Sequence, residues 1–253
     1  MKQFFKGCGF PVLPGVACLR AQWEQDEDAL MDTVEKEIGY PVFIKPALLG
    51  SSIGVSKATN REELKAAFEL GFEFDRKVLA EKGLNDPLEL NCSVLGYNGN
   101  VRASEIEMPI SGGDLLSFMD KYGAGGNSTK GMASLKRVLP APIEPELYQQ
   151  IQQLSKDMFV ALDCKGVVRI DFMFDSDSQQ LFITEINTIP GSLAFYLWEP
   201  CGMPYSQLID EMVRCAMEAQ QDKDDCNYAY TSDILAGISL GGKAGPKNGA
   251  KMH

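Results

Sequence analysis

The chain has 253 residues, 45% of them hydrophobic, enough for one large core or two smaller ones. A formal net charge of -11 and a pI near 4.7 argue against nucleic acid and anionic membrane as partners, since either needs a basic face to displace counterions. The only histidine is the last residue, His253, which removes Ser-His-Asp, Cys-His and His-metal chemistry.

No apolar run approaches the roughly 20 residues that span a bilayer, and the start lacks the features of a signal peptide, so the chain reads as cytoplasmic. Seven cysteines, odd in number and without a CxxC pair, suggest neither a disulfide framework nor a zinc site. The chemistry left must use carboxylates, Lys, Arg, hydroxyls, a bound metal or the backbone.

In chain order, the opening to Gly7-Cys8-Gly9 reads as the end of a helix, which points to a segment upstream of Met1. A helix is predicted over 27–38, with Leu30, Val34 and Ile38 on one stripe, and a strand over 42–45. After the loop 46–52 come a strand over 54–57 and a helix capped at Asn60 with Glu63 three residues on. Strands follow over 77–82, 88–97 and 100–107, the last two joined by the hairpin signal Asn98-Gly99. The segment 109–137 has no periodicity and reads as a mobile flap. A long helix over 145–162 carries a core stripe, and two strands over 167–175 and 181–187 flank the turn-like Ser176-Asp177-Ser178. A last helix covers 205–219, and the tail 223–253 is expected to be disordered. The class is α+β with largely antiparallel sheets.

The two strands before and after Ser178 carry the strongest chemical signal. Alternate residues share a face, so Arg169 points with Asp171 and Glu185 with Asn187. A turn centred on Ser178 sets Asp171 opposite Glu185 and Arg169 opposite Asn187. The other face, with Val168, Ile170, Phe172, Phe174, Phe182 and Ile186, is core. Facing carboxylates repel, and a divalent cation between hard oxygen donors relieves that repulsion. An ion-pair cluster neutralised by Arg169 is the plainer meaning for an arbitrary hairpin. Elsewhere Lys45 precedes a Gly/Ser loop, Gly50-Ser51-Ser52-Ile53-Gly54, able to turn N–H groups toward phosphate, although a plain strand connection has the same look. Glu81-Lys82-Gly83-Leu84 and Glu89 mark a crossing where backbone groups could meet a purine edge and a carboxylate a ribose, or form an ordinary surface ion pair.

The run VFIKPALLGSSIGVSKA, then VLAEKGL, Asp120-Lys121-Tyr122 in the flap, GVVRIDFMF and ITEINTIPG, in that order, resembles the D-alanine-D-alanine ligase family of the ATP-grasp superfamily. The resemblance covers about Gly7 to Met217. It implies two α+β subdomains gripping a nucleotide: residues 1–82 the small one, 83–222 the large one with its flap at 109–137. It implies ATP and two magnesium ions, for which manganese could substitute, and a ligase that phosphorylates the carboxylate of one D-alanine for attack by the amine of a second, in peptidoglycan precursor synthesis. A ligase for another amino acid or peptide, or an ATP-binding module without complete activity, are the alternatives.

By the same resemblance, Lys45 and Ser52 would hold phosphates, Glu81, Lys82 and Leu84 the adenine end and Glu89 the ribose. Asp171, Glu185 and Asn187 would hold magnesium, and Arg169 would stabilise the charged intermediates. Lys121 would cover the γ-phosphate, Ser51 and Tyr122 would help close the substrate site, and Gly191 would offer an N–H near the intermediate. The chain departs from the family in lacking an N-terminal domain, in the flap's Gly123-Ala124-Gly125-Gly126, and in Ser192 to Trp198, shorter and more apolar than the usual Ser-containing stretch. Phe195 to Trp198, if exposed, offers a surface for self-association, a homodimer included.

Overall fold

The computed structural model describes residues 1–50, 52–110 and 136–228. Its first sheet is built from β1 (Gly15–Leu19), β2 (Val42–Pro46), β3 (Ser56–Ala58) and β4 (Lys77–Lys82), in the order β1-β4-β2-β3, with every pairing antiparallel. Helices α1 (Lys2–Gly7), α2 (Arg20–Gln25), α3 (Glu27–Glu37) and α4 (Arg61–Phe74) accompany it in sequence. The starts of α3 and α4 follow from their caps. The side chain of Asp26 accepts from the Ala29 N–H and that of Asn60 from the Glu63 N–H, while Glu63 reaches back to the Thr59 N–H. Leu64, Ala67, Phe68 and Phe72 then fall on one stripe of α4 and bury against Val42, Ile44, Val78 and Ala80. Each fully buried Leu, Ile or Phe in such a layer contributes about 1.5–3 kcal/mol.

The second sheet has β5 (Leu88–Tyr97), β6 (Asn100–Pro109), β7 (Arg137–Val138), β8 (Gly166–Asp175) and β9 (Gln180–Asn187), in the order β7-β6-β5-β8-β9 and again antiparallel. One face is covered by α5 (Pro145–Ala161), whose Ile151, Met158 and Phe159 bury with Cys92, Val94, Ile106, Ile170 and Phe172. Phe5 of α1 joins this core, so the first helix packs with the second sheet although the first sheet follows it in sequence. Among the described residues, the opposite face is covered at one end only. There Leu95 and Val167 lie under Trp198, Met203 and Leu208, the last on α6 (Tyr205–Asp224). Trp198 donates its indole N–H to Ser93 Oγ at 3.0 Å, and Ser93 donates to the Val168 carbonyl at 2.8 Å.

The α+β class and the antiparallel pairing agree with the sequence reading. Strand β1 and helix α2 were not foreseen, and β3 starts two residues late because Gly54, at φ +71°, still belongs to the preceding turn. The last helix runs on to Asp224. Residues 111–135 of the expected flap and 229–253 of the expected tail lie outside the described residues. The expectation of an exposed apolar Phe195–Trp198 surface is overturned. Ser192, Leu193 and Ala194 turn the chain through three successive left-handed conformations and send Tyr196, Leu197 and Trp198 inward, with Phe195 half-buried against Tyr205.

Two bulges decide which side chains face which way. On β9 the register passes from Phe172↔Ile183 to Asp171↔Glu185, leaving Thr184 as the extra residue. Leu181 and Ile183 therefore face the core before the bulge and Ile186 after it, and Phe182, expected in the core, is only half-buried. On β6 an extra residue lies opposite Ser93, so that Asn91 pairs with Glu107.

Candidate active site

A cleft of about 900 Å³ separates the rest of that face of the second sheet from the outer face of the first. On the first-sheet side, β2 and β4 send Val42, Ile44, Val78 and Ala80 into their core, and alternation turns Lys45, Leu79 and Glu81 to the cleft. Glu81 is fully buried and is gripped from two directions: Lys45 Nζ lies 2.5 Å from Oε2, and Lys2 of α1 pairs with Oε1. One carboxylate under two lysines leaves a net positive charge. Burial, with the like charge of Lys45 added, pushes Lys2 down to about 7, and burial lowers Lys45 as well while the Glu185 carboxylate pulls it back up. An anion entering the cleft would relieve both lysines. Ser52, at φ +59° in the following loop, also lines the cleft.

On the second-sheet side, the registers align four side chains in one row: Glu107 on β6, Asn91 on β5, Asp171 on β8 and Glu185 on β9. Asp171 and Glu185 are direct cross-strand partners, as are Arg169 and Asn187 in the next row. Arg169 forks onto Asp171, with Nε to Oδ1 and Nη2 to Oδ2 both at 2.7 Å. Asn187 Nδ2 donates to Asp171 Oδ2 at 3.0 Å and reaches Glu185 Oε1 at 3.5 Å. Burial works against the Arg169 charge, but the Asp171 carboxylate more than offsets it and holds the guanidinium protonated. Arg169 thus answers for Asp171 directly, while Glu185 acts on Lys45 and Lys2 through its charge alone, with no ion pair to it among the described residues.

The bulge that produces this row is stitched by Thr184, whose hydroxyl donates to the Asp171 carbonyl at 2.8 Å. Were Thr184 paired as an ordinary strand residue, the alternation that buries Ile183 would carry on unbroken and turn Glu185 to the core face.

Of the residues singled out in the sequence, Lys45, Ser52, Glu81, Glu89, Arg169, Asp171 and Glu185 line this one cleft, and Asn187 adjoins it through Asp171. Lys82, Leu84 and Gly191 lie outside its lining; the Lys82 ammonium donates instead to the Tyr40 carbonyl at 2.6 Å. Ser51, Lys121 and Tyr122 fall outside the described residues. Sequence reasoning missed Lys2, Asn91, Glu107 and Arg137, all in the lining. Asn91 and Glu107 could have been found from the Asn98-Gly99 hairpin, but simple counting from that turn misses their pairing by the one residue that the β6 bulge inserts.

Two antiparallel sheets facing each other across a cleft with lysines on one wall and acids on the other define the ATP-grasp fold. The family model described as "D-ala D-ala ligase C-terminus" matches residues 4–214, and the chain belongs to this family, of which it is the C-terminal part. The chain is 37% identical over 223 residues to a D-alanine--D-alanine ligase of Thermosipho africanus, covering 88% of this chain and 59% of that protein. It is 39% identical over 234 residues to one of Bacillus velezensis, covering 91% and 63%. Among solved structures, the VanG D-Ala:D-Ser ligase from Enterococcus faecalis superposes with a TM-score of 0.68 at 28% identity, over 84% of this chain and 59% of that one. The chain therefore spans about three-fifths of the length of these relatives.

Proposed function

We propose that this chain is the nucleotide-binding and catalytic part of an ATP-dependent carboxylate-amine ligase, acting in the cytoplasm, with D-alanine as its amino-acid substrate and an acyl-phosphate as its intermediate. The observation that carries this reading is the opposition, across one cleft, of the Lys2–Glu81–Lys45 cluster to the Arg169–Asp171–Glu185–Asn187 cluster. The relatives that match it are named as D-alanine ligases, which supports the amino-acid assignment.

The donor set suits magnesium: two carboxylates and an amide, all hard oxygen donors, on adjacent strands. Among the described residues there is no group of three acids, Cys or His, so an ion here would complete its shell with phosphate oxygens and water. To serve as a ligand the Asn187 amide would flip, giving up its hydrogen bond to Asp171 Oδ2 so that its oxygen faces the ion. Two such ions, or manganese in their place, fit the same chemistry. Bound magnesium and ATP supply an activated phosphoryl group. The protein's own part is charge and position. Lys45 and Lys2 hold negative phosphate oxygens, Glu89 faces the ribose end, and Arg169 neutralises charge building up on the transferring group. The two walls carrying these groups, residues 1–82 and 83–222, act as the two subdomains of the grip, with the stretch from Phe5 to Val12 packed on the second.

The test mixes the chain with ATP, magnesium and D-alanine and measures phosphate release and dipeptide formation alongside calorimetric titration of magnesium-ATP. Binding with release on D-alanine supports the full reading. Release only with another amino acid overturns the D-alanine assignment, and absence of magnesium-dependent ATP binding overturns the function as a whole. A second reading, an ATP-binding module without complete activity, is favoured by the share of its relatives' length that the chain spans. It requires ATP to raise the melting temperature with no turnover, and dipeptide synthesis by the chain would refute it.

A further inference from the structure

The loop that leaves β2 brings Ala47, Leu48, Leu49, Gly50 and Ser52 into the cleft lining directly after Lys45. Its own side chains do little to hold it there. Leu48 and Leu49 are 83% and 42% exposed, and the pairing of β2 with β4 ends at Pro46↔Val78. A strand end with neither a ladder partner nor buried side chains frays.

Two backbone donors beyond the ladder are caught nonetheless. The Ala47 N–H donates to the Lys77 carbonyl at 3.0 Å, and the Leu48 N–H donates to Asp75 Oδ2 at 2.8 Å. Asp75 is buried at the end of α4 and accepts the Lys77 N–H on its other oxygen, Oδ1, at 3.1 Å. One carboxylate thus ties the exit of β2 to the entrance of β4. An aspartate that merely closes its own turn, by accepting the N–H two residues on, is the plainer meaning. That accounts for Oδ1 alone. The backbone of Asp75 is satisfied separately, its N–H by the Gly71 carbonyl at 3.1 Å and its carbonyl by Arg20 Nη2 at 3.2 Å. The second oxygen therefore serves the loop, 27 residues back in the chain. Burial works against the Asp75 charge, but the N–H groups of Lys77 and Leu48 more than offset it and hold the carboxylate below the usual range.

We propose that Asp75 is a positioning residue whose carboxylate clamps the Leu48 backbone and so fixes residues 47–50 beside Lys45, where an anion enters the cleft. Its effect on ATP rests on the ligase reading given above, but the clamp is a property of the free chain. Two variants of the full chain test it. Asp75→Ser keeps a hydroxyl able to close the turn to Lys77 but too short to reach Leu48, and Asp75→Asn keeps one acceptor oxygen for two donors. Asn60→Ala, which removes the cap of α4, weakens the same sheet without touching the loop. NMR measures hydrogen exchange at the Leu48 N–H relative to that of Ala80 in β4, and titrations give the affinities for magnesium-ATP and for adenosine, which has no phosphate.

In both Asp75 variants, Leu48 exchange should quicken and magnesium-ATP affinity fall by about tenfold each, with adenosine affinity unchanged, as expected for one lost bond to a charged acceptor. N60A should alter neither the exchange ratio nor the ratio of the two affinities. A merely structural role for Asp75 predicts losses shared by every amide and both ligands, and would overturn the proposal. Unchanged Leu48 exchange in both folded variants overturns it, as does an equal effect in N60A. Faster exchange with undiminished magnesium-ATP affinity overturns it too, since the anion would then be indifferent to the loop. Absence of magnesium-ATP binding in the parent chain would count against the ligase reading instead, and the exchange comparison alone would then decide the clamp.

Discussion

Arg169 gives Asp171 two parallel hydrogen bonds at 2.7 Å while its cross-strand neighbour Asn187 adds a third to the same carboxylate at 3.0 Å. Asp171 is therefore held in one orientation. Replacing Asp171 with Asn removes the charge and half the fork, and leaves a buried guanidinium partly unsatisfied. Urea unfolding should show a loss of about 1–3 kcal/mol, and calorimetry a fall of at least about tenfold in magnesium-ATP affinity. Arg169→Lys should keep the charge yet lose the paired geometry, with a smaller stability loss and a lower turnover.

Glu81 offers a different kind of dependence, because it is the shared counter-ion of two lysines in a fully buried position. Glu81→Gln should cost about 3 kcal/mol by leaving two cations facing each other. Saturating ATP should recover more stability in the variant than in the parent chain, as read from the shift in melting temperature, since phosphate then becomes the missing anion. Equal ATP shifts in both proteins would contradict this.

The same cluster sets a pH dependence. Lys2 titrates at about 7 in the folded chain, against 10.5 for an ordinary lysine, through burial and the charge of Lys45. Between those values the unfolded chain holds a proton that the folded chain has released, so Lys2 makes stability rise with pH above about 7 and stop rising near 10.5. Urea midpoints compared at about pH 7 and about pH 9 should show that slope, and Lys2→Met should flatten it. Nucleotide binding near pH 8 should take up protons, measurable by calorimetry in buffers of different ionisation enthalpy.

Gly54 closes the loop that follows Lys45 and sits at φ +71°, with the place of a β-carbon 2.7 Å from Phe74 Cδ2 and 2.9 Å from Pro46 Cγ. Gly54→Ala should destabilise the first sheet by about 1–2 kcal/mol and weaken ATP binding through the displaced loop. Adding Phe74→Leu should restore part of the stability in a double-mutant comparison, and full additivity of the two changes would show that the contact is not the cause.

Much of this arrangement was readable from local chemistry. Caps at Asp26 and Asn60, the Asn98-Gly99 hairpin and the alternation around Ile170 fixed elements whose pattern and propensity agree. The pairing of Asp171 with Glu185 was also foreseen, but for an incomplete reason. The turn pairs Asp175 with Gln180, half a residue short of a centre at Ser178, and the bulge at Thr184 restores the count that a centre at Ser178 assumed. Phe182 was misread as core for the same cause. Lys2 and Glu107 reach the site through contacts between distant segments, and no periodicity within either segment signals that. Strand β1 went unseen because Gly15 and Pro14 dilute its pattern and only its pairing with β4 supports it.

Thr184 adds no charge and no ligand of its own, yet the cleft's chemistry hangs on it. Were the strand to pair straight through, with Thr184 taking a partner of its own, every acid would remain in the sequence and the last part of β9 would still turn over, burying carboxylate and amide among hydrocarbon. The lapse in regular pairing at one position is therefore as much a requirement of the cleft as the identity of any side chain.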